Sequence, residues 1–319
     1  MHARDPLLLF SNGLGDHVLA MPALRALAAA FDGRATLLCS GNAPRFLFDE
    51  LPLRRVVGIP FWREDGTKRF DPAAAAAAAG ACDFFVSLVP WKSDSLDALA
   101  AAFPAAPSVG LAGRFGVKVA REGSAHMADV LFEVARAVDP ALQIARFASP
   151  LRLPAESRIH AAELRRRVAG GKRLLVVHAQ SGEGKSWPVT HLAPLLDRFL
   201  DAHPEFAACL VGTSPHADAF GPRVARCLDL PLASAFALIA AADLFFGVDS
   251  CMLHVADLCR VPGVAVFGPT SVQTWGFRFG PGVALQGDGS TAAVGVDHAL
   301  LALERVLADA SAAATWRAA

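Results

Sequence analysis

Short, almost uninterrupted apolar runs recur along the whole chain, and they restrict its fold more than any other feature. Continuous rather than alternating apolar residues are typical of parallel strands that are covered by helices on both faces. Amphipathic helical stretches separate the runs, such as the stripe Leu192, Leu195, Leu196 and Phe199. The pattern predicts an α/β fold with strands at 7–11, 35–40, 55–59, 83–89, 108–111, 173–179, 208–212, 244–248, 263–267 and 283–286.

The chain has 319 residues, of which 54% are apolar, and this is enough for two separate cores. Residues 149–154 (Ser-Pro-Leu-Arg-Leu-Pro) form a proline-flanked linker near the middle. We therefore expect two doubly wound, Rossmann-like domains, 1–153 and 154–319, that face each other across a cleft. A terminal helix that begins near Val296 can pack back on the N-terminal domain.

Composition excludes several classes of function. Thirty basic and thirty acidic residues give no net charge, which argues against a nucleic-acid partner. No uncharged apolar run reaches the roughly 18 residues that span a bilayer, and the N-terminus lacks a signal-peptide pattern. Six cysteines without a CxxC pair fit reduced thiols in a cytoplasmic protein. No DxD pair or metal-ligand spacing is present, so we expect neither a metal nor a cofactor.

The first candidate loop follows the first predicted strand. Gly13 and Gly15 let the backbone approach a ligand, Asp16 begins a helix, and His17 follows it. A simpler interpretation is that Asp16 only caps the helix and the glycines only shape a turn. Val18 occupies the third position of a GxGxxG fingerprint, so dinucleotide binding is a poor match.

The second candidate loop, residues 177–188, joins a strand to a helix at the start of the second half. Its glycines, the polar pair Gln180 and Ser181, and Lys185 suit phosphate oxygens at a helix N-terminus. It is not a Walker loop, because Ala179 stands where the first glycine would be. The alternative is that Lys185 is an ordinary surface lysine.

The third candidate segment runs from 246 to 254 and is followed by a Gly-Pro-Thr turn at 268–270. Backbone N–H groups of Ser250, Cys251 and Met252 at a helix start could hold a diphosphate, while Asp249 could accept sugar hydroxyls. His254 is more simply explained as a core histidine of that helix.

Together the three segments resemble glycosyltransferase family 9, the bacterial lipopolysaccharide heptosyltransferases. The resemblance rests on Gly-Leu-Gly-Asp with Pro-Ala-Leu-Arg at 13–25, on His-x6-Lys-x-Trp-Pro at 178–188, and on the segments 247–254 and 267–270. It implies a GT-B fold, an inverting, metal-independent reaction and ADP-heptose as the commonest donor. It also implies that Asp16 is the base, Lys185 a phosphate contact and Asp249 a donor contact. Cys251 replaces the family's usual glycine.

The sequence therefore predicts a glycosyltransferase that moves a sugar, most simply heptose from ADP-heptose, to a hydroxyl acceptor such as lipopolysaccharide core. Its partners would be a nucleotide-sugar and a glycan or glycolipid, with the protein cytoplasmic or peripheral to the inner membrane. Gln180, Ser181, Lys185 and residues 249–252 and 254 would bind the donor. Alternatives are a nucleotide-sugar epimerase or hydrolase of the same fold, a non-catalytic nucleotide-sugar-binding protein and, more weakly, a nicotinamide oxidoreductase.

Overall fold

A computed structural model of the chain describes residues 3–121, 123–213 and 220–318. The chain divides into two units, Met1–Ser149 and Pro150–Ala319, each built on its own parallel sheet. Residues 149–154 contain neither helix nor strand. Within the described ranges, no helix is both long enough and apolar enough to cross a membrane.

The first unit places helices around a six-stranded sheet. Its strands are β1 (Pro6–Leu9), β2 (Thr36–Ser40), β3 (Arg55–Ile59), β4 (Trp62–Glu64), β5 (Thr67–Arg69), β6 (Phe84–Ser87), β7 (Ser108–Gly110) and β8 (Val117–Lys118). Its helices are α1 (Leu14–Ala30), α2 (Pro72–Ala79), α3 (Asp94–Ala101) and α4 (Met127–Val138). The sheet order is β3-β2-β1-β6-β7-β8, all parallel, and β4 pairs with β5 as a separate antiparallel hairpin.

The second unit repeats the plan. Its strands are β9 (Arg173–His178), β10 (Phe206–Gly212), β11 (Val224–Leu228), β12 (Leu244–Val248), β13 (Gly263–Phe267) and β14 (Gly282–Gln286). Its helices are α5 (Ala155–Ala169), α6 (Val189–Ala202), α7 (Leu232–Ala240), α8 (Cys251–Leu258), α9 (Val272–Trp275) and α10 (Val296–Ala318). The order β11-β10-β9-β12-β13-β14 is again wholly parallel.

Strand order reverses once in each sheet. The chain runs outward from β1 to β3 and resumes on the other side of β1 at β6, and it does the same around β9 and β12. In doubly wound sheets the crevice for ligands opens at such a reversal, beyond the carboxyl ends of the two strands. Two of the predicted loops follow β1 and β9, and the third follows β12.

Each of the ten predicted apolar runs overlaps a strand, which confirms the α/β fold class. The hairpin β4–β5 and the strands β8 and β11 were not predicted, because their residues are mostly polar or partly exposed. The helix α6 begins at Val189, directly after Pro188. The helix α10 packs against α6 and β13 within the second unit. Its packing on the N-terminal domain stays a prediction.

A buried carboxylate ties α8 to the segment that leads into β14. The side chain of Asp257 is fully buried, and its Oδ1 accepts hydrogen bonds from the backbone N–H groups of Arg278, Phe279 and Gly280, at 3.0, 2.7 and 2.7 Å. Charged acceptors make the stronger hydrogen bonds. This contact therefore fixes the far end of the helix whose first residues belong to a candidate site.

Asp257→Ala should lower the free energy of unfolding by about 3–5 kcal/mol, because three backbone donors lose a charged, buried acceptor. Urea denaturation followed by circular dichroism measures the loss. The exposed Asp197→Ala on α6 is the matched control and should change stability by less than about 0.5 kcal/mol. Equal losses in the two variants would contradict a structural role for the Asp257 contact.

Candidate functional site

The carboxylate of Asp16 caps the helix that follows β1. Asp16 is the third residue of α1, and its Oδ2 accepts a hydrogen bond from the Gly13 N–H at 3.0 Å. This is the reach-back half of a capping box, which satisfies a backbone donor ahead of the helix. The position next to the helix N-terminus also stabilises the charged carboxylate. Asp16 therefore does cap the start of α1, as the simpler interpretation predicts. A capping carboxylate can also act in chemistry.

His17 lies beneath this turn. Its side chain is 2% exposed and packs between the rings of Phe10 and Phe48, with centroids at 5.0 and 5.9 Å. Its Nδ1 lies 2.8 Å from the Gly13 carbonyl oxygen, which can only accept, so Nδ1 carries the proton and Nε2 does not. Burial lowers the pKa of His17, and the nearby positive charge of Lys68 lowers it further, so the ring is neutral at pH 7.

Two residues of this region, Lys68 and Trp91, were not found from the sequence. The Lys68 Nζ donates to the Ser11 carbonyl oxygen and to the Ser11 Oγ, at 3.0 and 2.8 Å, and the Trp91 Nε1 donates to the same carbonyl at 3.0 Å. The ammonium also lies 4.9 Å from the centroid of the Phe61 ring and 5.4 Å from that of Trp91. A basic residue on a short polar hairpin gave no sequence signal.

In the second unit the predicted lysine and aspartate are in direct contact. The Lys185 Nζ lies 2.7 Å from the Asp249 Oδ2, and the Thr270 Oγ1 donates to the same oxygen at 2.7 Å. The Asp249 side chain is 7% exposed and that of Lys185 is 32% exposed. The loop after β9, the end of β12 and the Gly-Pro-Thr turn after β13 thus converge on one carboxylate.

The loop that carries Lys185 is tied together at its base. The Ser181 N–H donates to the Ser186 Oγ at 3.1 Å, and the Lys185 N–H closes a turn on the Gly182 carbonyl oxygen at 3.1 Å. The φ angle of Gly184 is +72°, a left-handed conformation that side chains disfavour. The buried Trp187 donates from its Nε1 to the carbonyl oxygen of Val294 at 3.1 Å. The loop therefore presents Lys185 from a fixed base.

The N-terminus of α8 lies beside this ion pair. Ser250 precedes the helix, and its Oγ is buried with no hydrogen-bond partner among the described residues. The first N–H groups of a helix, here those of Cys251 and Met252, have no intrahelical acceptor. Burial raises the pKa of the Cys251 thiol to about 11, so it stays protonated and is no nucleophile. His254 is 4% exposed with its ring 6.4 Å from that of Trp275, as expected for a core histidine.

Gln180 lines a cavity of about 420 Å³. Trp187, Leu192, Val211 and Phe220 supply apolar walls of this cavity, which has the size of known small-molecule sites. Among the residues that the structure describes, no group of three or more His, Cys, Asp or Glu side chains could hold a metal ion.

Comparison with known proteins agrees with this architecture. A family model described as glycosyltransferase family 9 (heptosyltransferase) matches residues 116–285, just over half of the chain. No curated protein sequence matches this chain.

Several solved structures share the fold. A glycosyl transferase family 9 protein from Veillonella parvula is 18% identical with a TM-score of 0.78, covering 95% of this chain and 97% of its own. The E. coli heptosyltransferase WaaC with ADP is 17% identical with a TM-score of 0.68, covering 94% and 99%. E. coli ADP-heptose lps heptosyltransferase II is 15% identical with a TM-score of 0.67, covering 95% and 99%. These likenesses confirm the predicted GT-B type fold.

The neutral state of His17 should make the protein less stable in mild acid. Because the folded pKa lies below the unfolded value of 6.5, the unfolded chain binds more protons, and stability falls as the pH drops below about 6.5. His17→Asn keeps an N–H donor for the Gly13 carbonyl but cannot titrate. We expect a shallower slope of unfolding free energy between pH 7.5 and 5.5 in this variant, by at most about 1.4 kcal/mol per pH unit.

Urea denaturation at several pH values measures the slope. His298→Asn, at an exposed position on α10, is the control and should keep the wild-type slope. A His17→Asn slope equal to that of the wild type would show that His17 is not held neutral by burial.

Proposed function

This chain belongs to glycosyltransferase family 9 and is a glycosyltransferase, and we propose that it transfers a sugar by inversion, without a metal, from a nucleoside diphosphate donor to a hydroxyl acceptor. We propose heptose from ADP-heptose as the transferred sugar. The acceptor would be lipopolysaccharide core or a similar glycolipid, reached from the cytoplasmic side of the inner membrane.

The contact between Lys185 and Asp249 at the strand reversal is the observation that supports this proposal most. A diphosphate at this position would meet the Lys185 ammonium, the Ser250 hydroxyl, which has no partner in the described part of the chain, and the first N–H groups of α8. Asp249 would then be released from the lysine to accept sugar hydroxyls, while Thr270 still donates to it. The Cys251 side chain stands where the family has glycine, so the diphosphate would pass a larger group.

The donor base is proposed from the solved relatives. The structure of E. coli WaaC contains ADP, and this protein shares its fold with the chain. Gln180 and Ser181 would contribute further polar contacts to the donor from the loop after β9.

In the proposed reaction the acceptor hydroxyl gives its proton to the Asp16 carboxylate as its oxygen attacks the anomeric carbon of the donor. The bond between that carbon and the β-phosphate oxygen breaks, and the nucleoside diphosphate departs with the bonding electron pair. Lys185 and the helix N–H groups stabilise the charge that develops on the departing phosphate, a task that a metal performs in other enzymes. Gly13, Gly15 and His17 shape the turn that presents Asp16.

Asp16→Asn should abolish most turnover and leave the fold intact. The amide oxygen can still accept the Gly13 N–H, because the third-residue position of a capping box accepts an amide as well as a carboxylate. It cannot take a proton, and loss of a general base commonly lowers the rate by about 10²–10⁴. The assay follows release of ADP from ADP-heptose in the presence of a deacylated lipopolysaccharide core, together with the melting temperature and the Kd for ADP.

The control for this experiment is Asp94→Asn, the same change at the exposed first residue of α3 in the same unit. It should keep the wild-type rate. If Asp16→Asn turns over within about threefold of the wild type, far less than base removal costs, Asp16 acts only as a cap.

Lys185→Met should weaken binding of ADP by about tenfold to a hundredfold, because a charged hydrogen bond to phosphate typically contributes about 1.5–3 kcal/mol. Isothermal titration calorimetry measures the Kd. Lys172→Met, an exposed lysine of the same unit, is the matched control and should bind ADP as the wild type does. An unchanged Kd in Lys185→Met would leave Lys185 with no role in donor binding.

A further inference from the structure

The hairpin β4–β5 stands outside the sheet of the first unit and directs one lysine at the turn that carries Asp16. Lys68 lies on β5, and its ammonium contacts Ser11 directly after β1. Two residues after Ser11, the Gly13 N–H donates to the Asp16 carboxylate. The lysine and the carboxylate therefore hold the two ends of one short turn.

We propose that Lys68 is a positioning residue of the Asp16 site, whose ammonium fixes the turn from Ser11 to Gly13 and favours the ionised form of the Asp16 carboxylate. The inference rests on the proposed role of Asp16 as the base. A base must be ionised to accept a proton, so a fixed positive charge near it extends the range in which it works to lower pH.

The surroundings of Lys68 support this role. Its ammonium is enclosed by the Ser11 oxygens and by the faces of the Phe61 and Trp91 rings, which attract a cation. Burial lowers the pKa of Lys68, the charge of Arg63 on β4 lowers it further, and the charge of Asp16 on α1 raises it. The last effect is mutual: a carboxylate that favours the charged lysine is itself favoured in its charged form by that lysine.

The other charged or titratable groups that interact with this lysine do not replace it. His17 on α1 is neutral at pH 7, and Arg63 on β4 donates to the Gly66 carbonyl oxygen of its own hairpin at 3.0 Å. Trp91 donates to the same Ser11 carbonyl as Lys68 but carries no charge. Substitution of Lys68 by a neutral residue therefore removes the charge, whereas substitution of Trp91 removes a hydrogen bond to the turn and no charge.

The experiment titrates the Asp16 carboxyl directly by NMR, in full-length protein labelled with ¹³C at the aspartate carboxyl groups. Asp16→Asn assigns the signal. Lys68→Gln keeps an N–H donor for Ser11 and loses the charge, and we expect the protonation midpoint of Asp16 to rise by about one pH unit, the lower end of what a close opposite charge produces. Trp91→Phe should leave the midpoint at its wild-type value. Lys68→Met is a second neutral variant in case the glutamine variant does not fold.

An unchanged midpoint in the neutral Lys68 variants would overturn the inference. An equal rise in Trp91→Phe would overturn it too, because the effect would then come from the shape of the turn. The acid limb of kcat/KM should move with the midpoint in Lys68→Gln. The two proposals fail separately: turnover of Asp16→Asn decides whether Asp16 is the base, and the NMR midpoint decides whether Lys68 favours its ionised form.

Discussion

Each parallel sheet reverses its strand order once, and the placement of every candidate group depends on that reversal. The connections that follow β1 and β6 run over opposite faces of the sheet, and so do those that follow β9 and β12. None of these connections therefore covers the carboxyl ends of these strands. At the first reversal Trp91 reaches Ser11, and at the second Lys185 reaches Asp249. Residues that are 80 and 64 positions apart become neighbours because the sheets are wound in this way.

Both reversals combine a carboxylate near a helix start with a lysine from another element. In the second unit the pair is in direct contact, and the buried Asp249 receives the Thr270 hydroxyl as well. In the first unit the carboxylate reaches back to a backbone N–H, and the lysine interacts with it electrostatically from its position on Ser11. A lysine in a direct ion pair, such as Lys185, can exchange its carboxylate partner for another anion. A lysine that contacts neutral groups, such as Lys68, keeps its charge in a fixed position.

The sequence was sufficient for the architecture because buried parallel strands are apolar along their whole length, as in β12 and β13. It was insufficient where strands lack that signal: β4 and β5 are polar, and Arg226 interrupts β11. Lys185 and Asp249 were each predicted, but their mutual contact depends on the order of strands, which no local pattern encodes. Lys68 was missed for the same reason, since only the folded hairpin brings it to Ser11.

The loop of residues 177–188, which carries Lys185, is held in place by residues far along the chain. The Trp187 indole donates to Val294, and the Thr291 hydroxyl donates to the Ser186 carbonyl at 2.6 Å, so the base of the loop is closed by the segment just before α10. Those partners are more than 100 positions further along the chain, so the ribosome makes them well after the loop itself. During synthesis the first unit can fold while the loop still lacks its anchors. The loop therefore holds Lys185 in its final position only after the segment just before α10 has been made.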